Sequence, residues 1–332
     1  MPTVAREVLK DYKFCIERQV TWGTAIDTSP LLLPTDEMFV ELEAGTHTIP
    51  RTTGNRWDTE GAAFADSSTM IPKVTFRVPA TPEINNIVIP WMLQKNADYA
   101  AAANVWTYIP QAQSALPAPR TSTTEGYFYT LTAKSPIASK SIIMKDAICT
   151  SLKLMVHHSE NQKMAYWEVE AIGRGYSHGA NPSGTIGTTL DLDIRYPWIE
   201  IDHFTVNGTD QPNDFVSMET TISYGAKFQN DVPTGEIVFP ELTTSGNFVV
   251  CGNANTEALK TLVHTSAVDN AIALLLQWGD GTISAAGEWN TEQYIRLTKF
   301  TVERREGEVI TFEYVGLGGG ATEFPFKSVH YV

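Results

Sequence analysis

Few groupings in this chain of 332 residues have the spacing that chemistry requires. His157 and His158 offer two imidazoles, but successive side chains of a strand or turn diverge, and no third ligand stands at metal-site spacing. Asp191-Leu192-Asp193 puts two carboxylates on one face of a strand, as an acid–base pair of a glycosidase would need. Alternating acids are also the ordinary composition of a solvated strand face, and that is the plainer reading. Asp280, between Gly279 and Gly281, reads as a turn residue. Gly173 and Gly175 lack the strand–turn–helix context of a dinucleotide fingerprint. Asn207-Gly208-Thr209 matches a glycosylation acceptor, yet nothing in the sequence routes the chain to a secretory path. Cys15, Cys149 and Cys251 are odd in number and far apart, with no CxxC, and read as reduced, buried thiols of a cytoplasmic setting. There is no nucleophile motif and no phosphate loop. The residues predict no catalytic site, no metal and no cofactor, and so not an enzyme.

The order in the chain lies in its strands. Tyr294 to Gly318 alternates apolar and polar residues on both sides of a charged turn, Glu303 to Glu308, and reads as a long β-hairpin. Leu152 to Gly175 has the same plan. Both copies end on an apolar residue followed by Gly-x-Gly, at Ile172-Gly173-Arg174-Gly175 and Val315-Gly316-Leu317-Gly318. A period of two then sends Trp167, Val169 and Ala171, with Ile310, Phe312 and Tyr314, to the core. It sends Glu168, Glu170 and Glu313 the other way, because an unpaired carboxylate is costly to bury.

Length allows two domains, each with its own core. Lys and Arg number 24 against 38 Asp and Glu, a net charge of −14. Such a surface argues against gripping nucleic acid by its phosphates, though not against letting it slide past. No apolar run approaches a membrane span and no signal region opens the chain, so a soluble, unexported protein is expected. The pattern divides into an arm over 1–36, a first β domain over 37–172, a Gly-rich linker over 173–189, a second β domain over 190–318 and a tail over 319–332. Residues 44–68 read as a long polar loop, and 110–126 as a second exposed loop. A helix is expected within 82–103, with Pro90 near its start or kinking it, and another from an Asn255 cap to about Thr265. Asn207-Gly208 is a hairpin turn signal, and Ala271 to Trp278 reads as a buried strand.

Two segments carry a family resemblance. Glu17-x-x-Val20-Thr21-Trp22-Gly23-Thr24-Ala25 resembles a segment near the N-terminus of tail tube proteins of long-tailed bacteriophages. Phe204-Thr205-Val206-Asn207-Gly208, leading to Val216-Ser217-Met218-Glu219-Thr220-Thr221-Ile222-Ser223, resembles the strand, turn and strand of the same family, and Val309 to Val315 its final strands. The resemblance implies a mainly β chain of two tandem β-sandwich or barrel domains of tail-tube type, each flanked by a helix. It implies self-association into trimeric rings of pseudo-sixfold symmetry, stacked into a hollow tube in the virion tail and assembled in the host cytoplasm. Tape measure and tail-terminating proteins would be partners, DNA would pass during ejection without specific binding, and no membrane would be involved. Under that reading Glu168, Glu170 and Glu313 face the lumen. Arg51, Arg56, Trp57, Phe64, Phe324, Phe326 and Tyr331 contact a neighbouring ring, the last three because no domain remains to bury them. A distal tail or baseplate ring, a contractile injection tube, a capsid protein and a pair of carbohydrate-binding β-sandwiches stand as alternatives. Eight Trp and twelve Tyr favour the last of these.

Overall fold

The computed structural model describes residues 12–21, 23–35, 38–49, 62–101, 103–111, 127–135, 141–158, 163–173, 175–179, 196–225, 227–229, 236–238, 241–264, 271–279, 288–304, 307–318 and 324–331. The first half runs β1 (Lys13–Arg18), β2 (Leu31–Leu32), β3 (Met38–Ile49), β4 (Ala62–Pro79), α1 (Pro82–Leu93), β5 (Asp98–Ala100), β6 (Val105–Tyr108), β7 (Tyr129–Lys134), β8 (Ser141–His157), β9 (Ala165–Ile172) and β10 (Gly175–Gly179). The second runs β11 (Ile201–Val206), β12 (Thr209–Asp210), β13 (Phe215–Ser223), β14 (Lys227–Gln229), β15 (Glu236–Val238), β16 (Thr243–Cys251), α2 (Ala254–His264), β17 (Ile272–Trp278), β18 (Trp289–Arg304), β19 (Glu308–Gly316) and β20 (Lys327–Tyr331). The protein is mainly β, and 18 of these strands form one connected antiparallel sheet system.

The same pairings occur twice, in the same order. In the first half β3 pairs with β4, β4 with β9 and β9 with β8; in the second β13 pairs with β16, β16 with β19 and β19 with β18. A helix follows β4 in one half and β16 in the other. The N-terminal stretch of β8 takes β7 and β10 as neighbours, and that of β18 takes β17 and β20. β7 pairs onward with β1 and β1 with β2, as β17 does with β11 and β11 with β12.

Local details repeat as well. Register shifts between Cys149 and Ser151 on β8, and between Leu297 and Lys299 on β18, leaving Thr150 and Thr298 as the extra residues. Thr150 Oγ1 donates to Glu170 O at 3.2 Å, and Thr298 Oγ1 to Glu313 O at 3.1 Å. A bulge bends its strand, so the two long strands turn at the same point. Thr81 Oγ1 accepts from Ile84 N to cap α1, and Asn253 Oδ1 accepts from Thr256 N to cap α2. The helix cap is therefore Asn253, two residues before the expected Asn255; either Asn can accept the orphan N–H groups, and the end of β16 decides which one does.

The halves are joined rather than separate. Ser151–His157 of β8 pairs with Ser217–Ser223 of β13, so eight strands run side by side as β3-β4-β9-β8-β13-β16-β19-β18. Beneath them a single apolar cluster spans both halves. Trp289 of the second half lies 6.0 Å from Trp167 of the first, stacks on Trp278 at 4.5 Å and packs on Tyr196 at 4.7 Å. Trp167 Nε1 donates to Asn85 Oδ1 of α1 at 2.7 Å, which ties the helix to the same cluster. Helix α1 buries residues on every side, Pro90 included, so it carries no single apolar stripe for a sequence reading to find.

Three expected segments differ. Most of 44–68, read as a loop, lies in the arms of the β3–β4 hairpin, where Ser, Thr, Ala and Gly hide the alternation. The expected linker over 173–189 begins with β10 beside β8. The expected tail is not free: Phe326 is wholly buried and Lys327–Tyr331 is strand β20, between β18 and β6. Within the expected arm over 1–36 lie β1 and β2, and Phe14, Cys15 and Ile16 of β1 are core residues. Cys251, the last residue of β16, is exposed, unlike Cys15 and Cys149.

One position shows how tight the second half is. A Cβ at Gly246 would lie 2.2 Å from Glu219 O and 2.6 Å from the Tyr314 hydroxyl, whereas one at Gly307 would meet nothing within 4 Å. Gly246→Ala is expected to lower unfolding free energy by about 2–3 kcal/mol, as an overpacked core does. Gly307→Ala is expected to stay within about 0.5 kcal/mol, as at an open surface site; equal denaturant midpoints for the two variants would contradict this packing.

His330 supplies a pH signature. Its Nε2 lies 2.6 Å from the Tyr196 hydroxyl, and burial lowers its pKa from 6.5 to about 4. The unfolded chain therefore binds the extra proton first as pH falls through 6.5, and stability is lost from there down to about 4. About 2 kcal/mol should be missing at pH 5 relative to pH 7.5, on the usual linkage of pKa shift to free energy. His330→Gln, which keeps an acceptor for Tyr196, should remove that portion of the pH dependence in denaturant titrations.

Candidate functional site

The period of two gives the eight-strand sheet two unlike faces. Trp167, Val169, Ala171, Ile310, Phe312 and Tyr314 are buried, as the alternation requires. Tyr314 reaches far enough to place its hydroxyl 2.5 Å from Thr220 Oγ1, which also accepts from Gln293 Nε2. The other face carries Glu168, Glu170 and Glu313, and each carboxylate meets a cation from a neighbouring strand. Arg77 Nε lies 2.7 Å from Glu168, Lys73 Nζ 3.5 Å from Glu170 and Lys299 Nζ 2.6 Å from Glu313. At the joint between the halves, Glu219 of β13 holds Lys153 at 2.8 Å and His157 at 3.1 Å, both on β8. Burial by itself would raise the Glu219 carboxyl; the hydrogen bond and charge of Lys153, helped by His157, hold it below the ordinary carboxylate range.

Four cations and four carboxylates thus sit in register across strands of both halves, among Ser, Thr and Asn. Such a face is polar without being strongly anionic, and each exposed pair contributes little stability.

The remaining expected sites fall as follows. His157 is occupied by Glu219, and among the described residues no group of three His, Cys, Asp or Glu could hold a metal ion. Asp191, Asp193 and Asp280 lie outside the described residues, as do Arg51, Arg56 and Trp57. Phe64 falls on β4. Phe324 and Tyr331 are half-buried, and Phe326 is removed from the candidate contact residues by its burial.

The segments that carry the resemblance have structural work to do. Glu17 accepts from Thr28 N at 2.8 Å, Thr28 Oγ1 at 2.7 Å and Ser29 N at 3.1 Å, closing the loop after β1. Asp146, on β8 with φ 53°, accepts from Gln19 Nε2 at 2.8 Å and Gly23 N at 2.7 Å. The Gln19-to-Gly23 loop is therefore a clamp on a left-handed kink of β8. Sequence reading missed this clamp, since Asp146 is 123 residues from Gly23. Asn207 (φ 50°) and Gly208 (φ 77°) make the expected two-residue hairpin turn between β11 and β12. No protein-family model matches the chain, and no curated protein matches it.

Glu219 should matter more than its exposed counterparts on the same face. Glu219→Gln is expected to cost about 1 kcal/mol, because Lys153 loses its carboxylate and His157 its hydrogen-bond partner, while Glu313→Gln, in a pair about half exposed, should cost no more than about 0.5 kcal/mol. Thermal or denaturant melts of the two variants measure the difference, and an equal cost would show that the joint between the halves is not electrostatically special.

Proposed function

We propose that this chain is a structural protein of a bacteriophage tail, which assembles through its sheets into stacked rings enclosing a channel for DNA. The observation that carries this reading is the duplicated sheet unit, with its two copies already joined edge to edge by the β8–β13 ladder. A chain that concatenates two such units internally is built from a module suited to concatenation between chains. Three chains would give six modules around a ring. The resemblance of the Glu17-to-Ala25 and Phe204-to-Ser223 segments to tail tube proteins points the same way.

In this reading the face bearing Glu168, Glu170 and Glu313 lines the channel. Its matched charges favour it: a polyanion finds neither a row of unpaired cations to bind nor a bare anionic wall to oppose entry. Arg51, Arg56 and Trp57, which lie outside the described residues, and Phe64 of β4 would contact an adjacent ring. A tape measure protein would occupy the bore before DNA, and a tail-terminating protein would cap the last ring. No catalytic residue, cofactor or membrane contact enters the proposal.

Electron microscopy of the purified, concentrated protein in negative stain tests it. Rings with a central opening, or tubes built from them, are the expected images. Uniform monomers under all conditions of salt and concentration would overturn the proposal, and closed shells would redirect it to a capsid.

A further inference from the structure

The joint inside the chain specifies a joint between chains. β8 presents Ser151–His157 to β13 along the edge that faces away from β9. Its counterpart in the second half is β18, whose C-terminal stretch pairs with β19 on one edge and, among the described residues, with no strand on the other. The counterpart of β13 is β3, which among the described residues pairs with β4 alone. These two strands lie at opposite ends of the eight-strand order and do not pair with one another within one chain.

Burial marks β18 as incomplete. Leu152 and Leu154 of β8, covered by β13, are wholly buried, whereas their equivalents Phe300 and Val302 on β18 are only partly buried against the core. Apolar residues on an open strand edge are a standing invitation to pair.

We infer that β18 of one copy pairs antiparallel with β3 of a second copy, in the register that β8 and β13 use inside the chain. Carrying over the shared bulge and the shared helix cap fixes that register. Leu152 faces Ile222 in the internal joint, so Phe300 comes opposite Leu42 of the second copy. Val302 comes opposite Val40, Thr301 opposite Glu41, and Lys299 opposite Glu43. Lys299, already paired with Glu313 within its own chain, then comes opposite position 43 of the second copy. The interface is head-to-tail: each copy offers one β3 edge and one β18 edge, so contacts propagate and close into a ring where the rotation allows. This deepens the ring reading above and rests on it only for closure, not for the pairing itself.

Paired cysteines read the register directly, because directly opposed residues of an antiparallel pair have Cα atoms within disulfide reach. In a Cys251→Ser background, Thr301→Cys with Glu41→Cys is oxidised and run on a non-reducing gel. A shifted combination, Thr301→Cys with Phe39→Cys, serves as the control. The matched pair should pass from monomer into a ladder of covalent multimers, while the shifted pair and the single variants stay largely monomeric. If wild-type rings form but the matched pair does not cross-link, the chains join elsewhere and the edge pairing is wrong while the ring reading survives. If the matched pair cross-links but only open chains are seen, the pairing stands and ring closure falls. If neither rings nor cross-links appear, both are overturned.

Discussion

The seven-residue ladder between β8 and β13 is the constraint on which the remaining architecture rests. It turns two similar strand sets into one sheet, and it fixes which face of each strand enters the core. Slippage by one residue would expose Leu152, Leu154 and Ile222 and bury Lys153 and Glu219. The ion contacts among Lys153, Glu219 and His157 hold that register from the polar side. Packing of Leu152, Ile222 and their neighbours holds it from the apolar side.

β8 can serve both neighbours because it is bent. The extra residue Thr150 separates the stretch that pairs with β7 and β10 from the stretch between β9 and β13, and the clamp on Asp146 by Gln19 and Gly23 sets the kink just before it. β18 repeats the bulge at Thr298. Trp289, at the start of β18, packs on Tyr196 and Trp278 of its own half and meets Trp167 of the other. The strand that ends on an open edge therefore begins in the middle of the common core. A partner docked on that edge would lean on a rigid element, which favours a defined interface over a fluid one.

Much of this was legible in the sequence, and what was not has physical causes. The long hairpins announce themselves because aromatic and β-branched residues alternate with charges at Trp167 to Ile172 and Ile310 to Val315. The β3–β4 arms do not, since Gly45, Thr46, Thr48, Ala62, Ala63 and Ser67 carry too little contrast between faces. Helix α1 shows only weakly in the sequence, because a helix buried all round has no stripe. β20 does not show in the sequence, because burial of Phe326 and pairing of Ser328 depend on β18 and β6. On the candidate face the acids were readable from period two alone. Their partners Lys73, Arg77 and Lys299 were not, for a cross-strand pair needs the register that only the fold supplies.

That difference changes how the net charge of −14 bears on function. A global acidic excess suggests a repelling wall, but repulsion acts through the local field within about a Debye length, roughly 8 Å at physiological salt. On the sheet face the carboxylates at 168, 170, 219 and 313 are each neutralised within a few ångströms, so the excess acts from other parts of the molecule. A channel lined by this face would pass a polyanion because its cations are already engaged. At each joint the same register sets Lys299, already paired with Glu313, opposite position 43 and Thr301 opposite position 41, so a joint brings acidic positions and no new cation to this face. The charge pattern and the edge pairing then depend on the same register.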